Sequence, residues 1–215
     1  VGQSESDTVA RWNHPGWWIK RLQTDWPKAW QAILQANNQH APMTLRVNTR
    51  RTTRAHYVEL LQAVDLPATP VADSGLQLAQ SVAVNKLPGF NDGLSSVQDA
   101  AAQLAAPLLL GQPLQASGLR VLDACAAPGG KTAHLLEWAD VLVTALDIDA
   151  SRCERIHQTL QRQGLIARVL ANDAADVATW WDGVPFDAIL LDASCSASGI
   201  VRRHPDIRWL RRDSD

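Results

Sequence analysis

Asp123-Ala-Cys-Ala-Ala-Pro-Gly-Gly-Lys-Thr132 follows the short apolar run Leu119-Arg-Val-Leu122. The run has the length and residue types of a buried strand, and the segment after it turns on two adjacent glycines. Gly129 and Gly130 let the backbone approach a ligand closely, and the helix that follows presents amide N–H groups with no partner of their own. Three more runs of the same kind follow, Val141 to Asp147, Ala167 to Asp173 and Phe186 to Asp192. Helical stretches separate them. The clearest runs from Asp149 to Gln163, with Cys153, Ile156 and Leu160 on one face and Gly164 as its stop. Strands alternating with helices at this spacing predict βαβ units and a parallel sheet.

Each of the four runs ends in aspartate: Asp123, Asp147, Asp173 and Asp192. One strand-end aspartate is commonly a helix cap. Four in succession set carboxylates along one rim, and open parallel sheets bind ligands outside the carboxyl ends of their strands. Three nucleotide-type sites are compatible with a Gly-rich first turn. A phosphate-binding P-loop needs a glycine where Cys125 stands. A dinucleotide site needs Gly-x-Gly-x-x-Gly, which the loop lacks. A methyl-donor site needs a Gly-rich turn and an acid closing the second strand for the ribose hydroxyls. Asp147 supplies that acid, and Asp173 stands where an adenine amino group would be accepted, so the spacing favours the third.

The chain has 215 residues, 46% hydrophobic and 20% charged, enough for a packed core with a small companion domain. No run approaches the roughly 18–20 apolar residues that span a bilayer, and no signal-peptide core opens the sequence. Membrane partners are therefore not expected. Three cysteines, Cys125, Cys153 and Cys195, form no Cys-x-x-Cys pair, which fits a reducing, cytoplasmic setting and neither a disulfide framework nor a zinc site. The net charge of −2 is uneven: residues 1–60 hold eight Lys/Arg against four Asp/Glu, and residues 200–215 hold five Arg against three Asp. These two basic edges would suit a polyanion.

The first half reads as irregular α/β. His14-Pro15 predicts a helix start, and Asp25 a cap for a second helix whose Trp26, Trp30, Ile33 and Leu34 share one buried face. Met43 to Asn48 alternates as a strand, and Thr52 or Thr53 caps a helix carrying Tyr57, Leu60, Leu61 and Val64. Residues 65–95, broken by prolines and glycines, predict short strands and turns. Ser96 and Asp99 predict a helix from Gln98 to Leu110. The domains expected are residues 1–95, small α/β, and residues 96–215, the parallel sheet.

Cys125-Ala-Ala-Pro-Gly-Gly-Lys131, Leu146-Asp-Ile-Asp149, Leu191-Asp-Ala-Ser-Cys-Ser-Ala-Ser-Gly199 and Arg202-Arg-His-Pro-Asp206 together resemble the RNA 5-methylcytosine methyltransferases. The closest branch is the RsmB/Fmu/Sun group, which acts on bacterial small-subunit ribosomal RNA. His14-Pro-Gly-Trp-Trp18, Gln35-Ala-Asn-Asn38, Met43-Thr-Leu-Arg-Val-Asn48 and Gly93-Leu-Ser-Ser-Val-Gln-Asp99 resemble that group's segment ahead of the catalytic core. The resemblance covers nearly the whole chain and implies a Rossmann-like methyltransferase fold preceded by a small α/β domain.

The resemblance further implies S-adenosylmethionine as cofactor. Cys125, Ala126, Ala127, Pro128, Gly129, Gly130 and Lys131 would surround its methionine end. Asp147 would hold the ribose, Asp173 the adenine side, and Asp192 would lie between cofactor and target base. The implied substrate is a cytosine of 16S ribosomal RNA, with no DNA and a monomeric protein expected. In the family a cysteine thiolate adds to C6 of cytosine, giving C5 the nucleophilic character to take a methyl group. Cys195 matches the cysteine that assists product release, with Ser194 where the family has proline. The nucleophile's Thr-Cys-Ser segment is absent from these 215 residues. The chain is thus expected to be truncated at both ends, its sheet incomplete with an open edge and an uncovered apolar face, and to bind cofactor weakly or not at all and methylate nothing alone. Two alternatives are an RNA-binding module that keeps the fold without catalysis, and a chain in which Cys195 is itself the nucleophile. Arg46, Arg50, Arg51 and Arg54, with the Arg202–Arg212 tail, are the expected RNA-facing patches.

Overall fold

A computed structural model describes residues 7–112 and 117–215. The described residues form two compact units, residues 7–41 with 194–215, and residues 42–193.

The first unit opens with three helices, α1 (Thr8–Trp12), α2 (Gly16–Asp25) and α3 (Trp30–Asn37). The Asp7 carboxylate caps α1 by accepting from the Val9 and Ala10 amides. Pro15 immediately precedes α2, as the sequence predicts. Trp12, Ile19 and Leu34 form a small core, with the Trp12 and Trp30 rings edge-on at 5.3 Å. The expected second helix differs. Asp25 closes α2 instead of capping α3, and a turn at residues 26–29 separates the two, so Trp26 falls off the shared face and is 59% exposed. Residues 194–215 add a helical turn at Ser198–Ile200 and α8 (Ile207–Leu210), numbered after the elements below. Arg208 is buried and donates to the carbonyls of Asn13 and Asn37 and to Asn38 Oδ1. That arginine of the basic tail is therefore an internal clasp.

The second unit holds two sheets. Strands β1 (Thr44–Val47), β2 (Ala68–Val71), β3 (Gly75–Leu78) and β4 (Ser95–Val97) make an antiparallel sheet in the order β2-β3-β1-β4. Helix α4 (Arg54–Gln62), capped by Thr53, packs Tyr57 and Leu61 into a core with Leu45 and Leu76. Val64 lies past the end of α4 and is exposed. The helix predicted over 98–110 is shorter: residues 95–97 pair with β1, Ala102–Leu104 form a 3₁₀ turn, and α5 spans Ala105–Leu110. Pro107 has no N–H to donate and fits only the first turn of a helix, which sets the late start.

The second sheet is parallel. It contains β5 (Arg120–Ala124), β6 (Leu142–Asp147), β7 (Arg168–Ala171) and β8 (Ala188–Leu191) in the order β7-β6-β5-β8. Helices α6 (Gly130–Trp138) and α7 (Ala150–Gln163) connect the first three strands. Asp149 caps α7, and Gly164 ends it at φ 64°, a left-handed conformation that glycine adopts without a Cβ clash. The strand order reverses between β5 and β8, so the crevice at their carboxyl ends is the topological position for a ligand. Ile189 and Leu191, on one face of β8, are 57% and 64% exposed. Among the described residues no helix is long and apolar enough to cross a membrane.

Candidate functional site

The crevice is bounded by the loop from Cys125 to Lys131, which leaves β5 and enters α6. Its backbone is unusual at three successive points: Cys125 has φ 67°, the Ala127–Pro128 bond is cis, and Gly129 has φ 92°. A Cβ on Gly129 would sit 3.1 Å from Ile156 Cα, so the loop packs directly on α7. A Cβ on Gly130 would meet nothing within 4 Å. One side of the loop is therefore close-packed, and the backbone at the start of α6 borders open space.

Carbonyls of the loop are held from behind by side chains of other elements. Arg152 Nη2 donates to the Ala127 carbonyl (3.2 Å), Thr159 Oγ1 to Pro128 (2.8 Å) and Arg46 Nη1 to Gly130 (3.0 Å). The Ala126 amide donates to the Leu146 carbonyl at 2.7 Å. With α6 starting here, its first-turn amides have no intrahelical acceptor, and the helix dipole favours an anion in front of them.

The four strand-end aspartates have separate environments. Asp147, at the end of β6, is 1% exposed; its carboxylate accepts from the Ala127 and Asp149 amides and pairs with Arg152 at 3.2 Å. Asp192, one residue past β8, is exposed and ion-paired with Lys131. Asp173, two residues past β7, is exposed and accepts from the Ala175 amide at 2.9 Å. Asp123 is fully buried at the end of β5. Thr132 Oγ1 donates to its Oδ2 at 2.6 Å, and its Oδ1 has no hydrogen-bond partner. Burial raises its carboxyl pKa to about 6, opposed by the Thr132 hydroxyl and by Lys131.

The structure thus brings Cys125–Lys131, Asp147 and Asp192 to one crevice at the carboxyl ends of the strands, with Asp173 beyond β7 on the same rim. Cys153 is buried on α7, as the periodicity predicts. Cys195 belongs to the other compact unit. It is exposed, its Sγ accepts from the Ala197 amide at 3.4 Å, and Arg211 Nε holds the neighbouring Ser196 carbonyl at 2.8 Å. A cavity of about 540 Å³ in that unit is bordered by Trp17, Arg21, Ser196 and Ser198.

Two features of the site were not distinguished in the sequence. Asp123 stands in the row of four acids, but only the structure shows that it is fully buried with one carboxylate oxygen unpartnered. Arg46 has the opposite fate from the one expected: it is 1% exposed and bonded to Glu137 and Gly130 inside the protein, so it is not part of an RNA-facing surface. Arg50, Arg51 and Arg54 donate to the carbonyls of Glu137, Asp92 and Ala72.

The Asp123 environment makes a prediction. An acid whose folded pKa is raised from 3.8 to about 6 costs stability once pH exceeds the folded value, and that cost disappears as pH falls toward 4. Asp123→Asn keeps an acceptor for Thr132 and carries no charge. It is expected to stabilise the protein by roughly 2–3 kcal/mol at pH 7.5 and by little at pH 4. Urea unfolding at the two pH values measures this, and an equal effect at both would refute it.

Comparison with known proteins gives a consistent picture. Residues 113–215 match the family described as 16S rRNA methyltransferase RsmB/F, and residues 14–85 match the ferredoxin-like domain described for RsmF/B-like methyltransferases. A ribosomal RNA small subunit methyltransferase B from Pseudomonas syringae pv. tomato is 52% identical over 98% of this chain and 47% of its own length. The crystal structure of PH0851 superposes with a TM-score of 0.87 at 26% identity, over 97% of this chain and 48% of that one. A methyltransferase homolog protein from Pyrococcus horikoshii gives a TM-score of 0.76 at 28% identity, over 94% of this chain and 66% of its own. The chain spans about half the length of the curated relatives it matches.

Proposed function

Because the chain belongs to the 16S rRNA methyltransferase RsmB/F family, we propose that it holds the methyl-donor half of a cytosine-C5 methyltransferase of 16S ribosomal RNA. The fold is a ferredoxin-like α/β domain with a Rossmann-like methyltransferase domain. We place the functional division after β4 (Ser95–Val97), whose pairing with β1 moves it from the expected 95/96, with the segment before it available for RNA contact.

The reading is carried by the loop at the strand-order reversal, where the backbone at Gly130 borders open space and the neighbouring β5 end holds Asp123, buried with one oxygen unpartnered. These groups fit the zwitterionic end of S-adenosylmethionine, with first-turn amides of α6 for its carboxylate and Asp123 for its ammonium. The cofactor, when bound, supplies a methyl group made electrophilic by its positive sulfur. Cys125 to Lys131 would line the methionine end largely through backbone. Asp147 would take the ribose hydroxyls, Asp173 the adenine side, and Asp192, held by Lys131, the border toward the target base. Exposure of Cys195 suits a thiol that approaches a base rather than one that packs a core. We assign it the assisting role in product release, the C6 nucleophile belonging to a Thr-Cys-Ser segment these residues do not contain.

Calorimetric titration with S-adenosylmethionine tests this. Binding in the micromolar to low millimolar range is expected, weakened at least tenfold in Asp147→Ala, with no 5-methylcytosine formed in 16S RNA by the chain alone. Absence of donor binding by the natural sequence would overturn the donor-site reading. RNA binding without donor binding would instead favour an RNA-gripping module.

A further inference from the structure

Arg46 lies on β1 of the ferredoxin-like sheet, yet its side chain, apart from one bond to Gln98, reaches to α6. Nε and Nη2 grip the two Glu137 oxygens at 2.8 and 2.7 Å, and Nη1 reaches the Gly130 carbonyl at 3.0 Å. Gly130 and Glu137 are seven residues apart, two turns along one face of the helix. A single buried guanidinium therefore fastens the first residue of α6 and its last turn at once. Its planar fork can do this; an ammonium on a flexible stem cannot span both.

The consequence follows from peptide geometry. In a planar trans peptide the C=O of one residue and the N–H of the next point in opposite directions. Holding the Gly130 carbonyl from the β1 side turns the Lys131 N–H the other way, toward the loop. Arg152 and Thr159 fix the Ala127 and Pro128 carbonyls from α7, but Arg46 alone among these three comes from the other sheet. We infer that Arg46 is a positioning residue of the donor site: it sets the Gly130–Lys131 peptide that receives the donor's carboxylate, and so makes donor affinity depend on the ferredoxin-like sheet. This rests on the donor-site reading above and adds to it a residue outside the Rossmann-like domain.

The test separates positioning from simple stability. Arg46→Met/Glu137→Met removes both charges and leaves no uncompensated ion buried, so folding is expected to be retained. Amide hydrogen exchange is measured without ligand at His134, whose helical acceptor is the Gly130 carbonyl, and at Val143 and Ala145 of β6 as controls. Exchange at His134 is expected to rise at least tenfold with the β6 amides unchanged, and S-adenosylmethionine is expected to bind at least tenfold more weakly. If the double variant does not fold, Arg46→Lys is taken through the same measurements with the same expectation. A folded variant with unchanged His134 exchange and unchanged donor affinity overturns the inference. If the natural chain binds no donor, the donor-site reading fails, and the His134 exchange alone decides whether Arg46 holds the helix start.

Discussion

Replacing His134 by leucine is expected to make the protein gain stability relative to the natural chain as the pH falls below 6.5. His134 is 3% exposed on α6, and its Nδ1 has no hydrogen-bond partner. Burial, reinforced by the nearby Arg46 charge, lowers its pKa from 6.5 to about 3. The folded state therefore keeps the ring neutral while the unfolded chain protonates it. The contribution is whole above pH 6.5 and is lost as pH falls through the window down to about 3. The slope is about 1.4 kcal/mol per pH unit, roughly 4–5 kcal/mol in all. Asp123 acts in the opposite sense between about pH 6 and 4, since protonating it relieves its burial. Depression of the His14 pKa, mainly by burial, adds to the acid loss. Taking the variant against the natural chain cancels these shared contributions. His134→Leu should therefore gain on the natural protein steadily from pH 6.5 to pH 4. A cavity of about 80 Å³ beside His134, Glu137 and Trp138 gives the leucine room. Urea midpoints at half-unit steps measure it, and parallel curves for the two proteins would sink the idea.

Glu137→Ala is expected to destabilise the protein by about 3–5 kcal/mol, because it leaves the Arg46 guanidinium buried without its counter-charge. The side chains of the pair are 0% and 3% exposed, and the contact is bidentate. Exposed pairs such as Arg21–Asp213, with side chains 61% and 65% exposed, fall in the class worth less than about 1 kcal/mol. The two classes should thus separate cleanly: Asp213→Ala is the control. Chemical unfolding at pH 7 decides, and a loss below about 1 kcal/mol for Glu137→Ala would show that the interior relaxes to solvate Arg46.

Legibility in the sequence followed the range of the interaction. The parallel sheet was readable because each βα step is local: an apolar run, a glycine turn or an aspartate cap, then a helical face, as at Asp149 and Gly164. The same local signals failed where spacing continued across a break. Trp26 keeps helical register with Trp30 in sequence, but the chain turns between them and leaves it exposed. Ser96 carries a cap-like pattern, yet strand pairing with Arg46 claims it.

The candidate site divides in the same way. The Cys125–Lys131 loop, the aspartates at 147, 173 and 192, and the family itself were legible in the sequence, because the glycine turn and the strand-end acids are built from neighbours in the chain. Tertiary structure alone decided that Arg46 faces inward onto Glu137, 91 residues away, that Asp123 keeps an unpaired oxygen, and that Arg208 is a clasp. An arginine's letter is the same on a surface and in a core. Its role is settled by which carboxylates and carbonyls the fold brings within reach, and by whether water is left to compete for it.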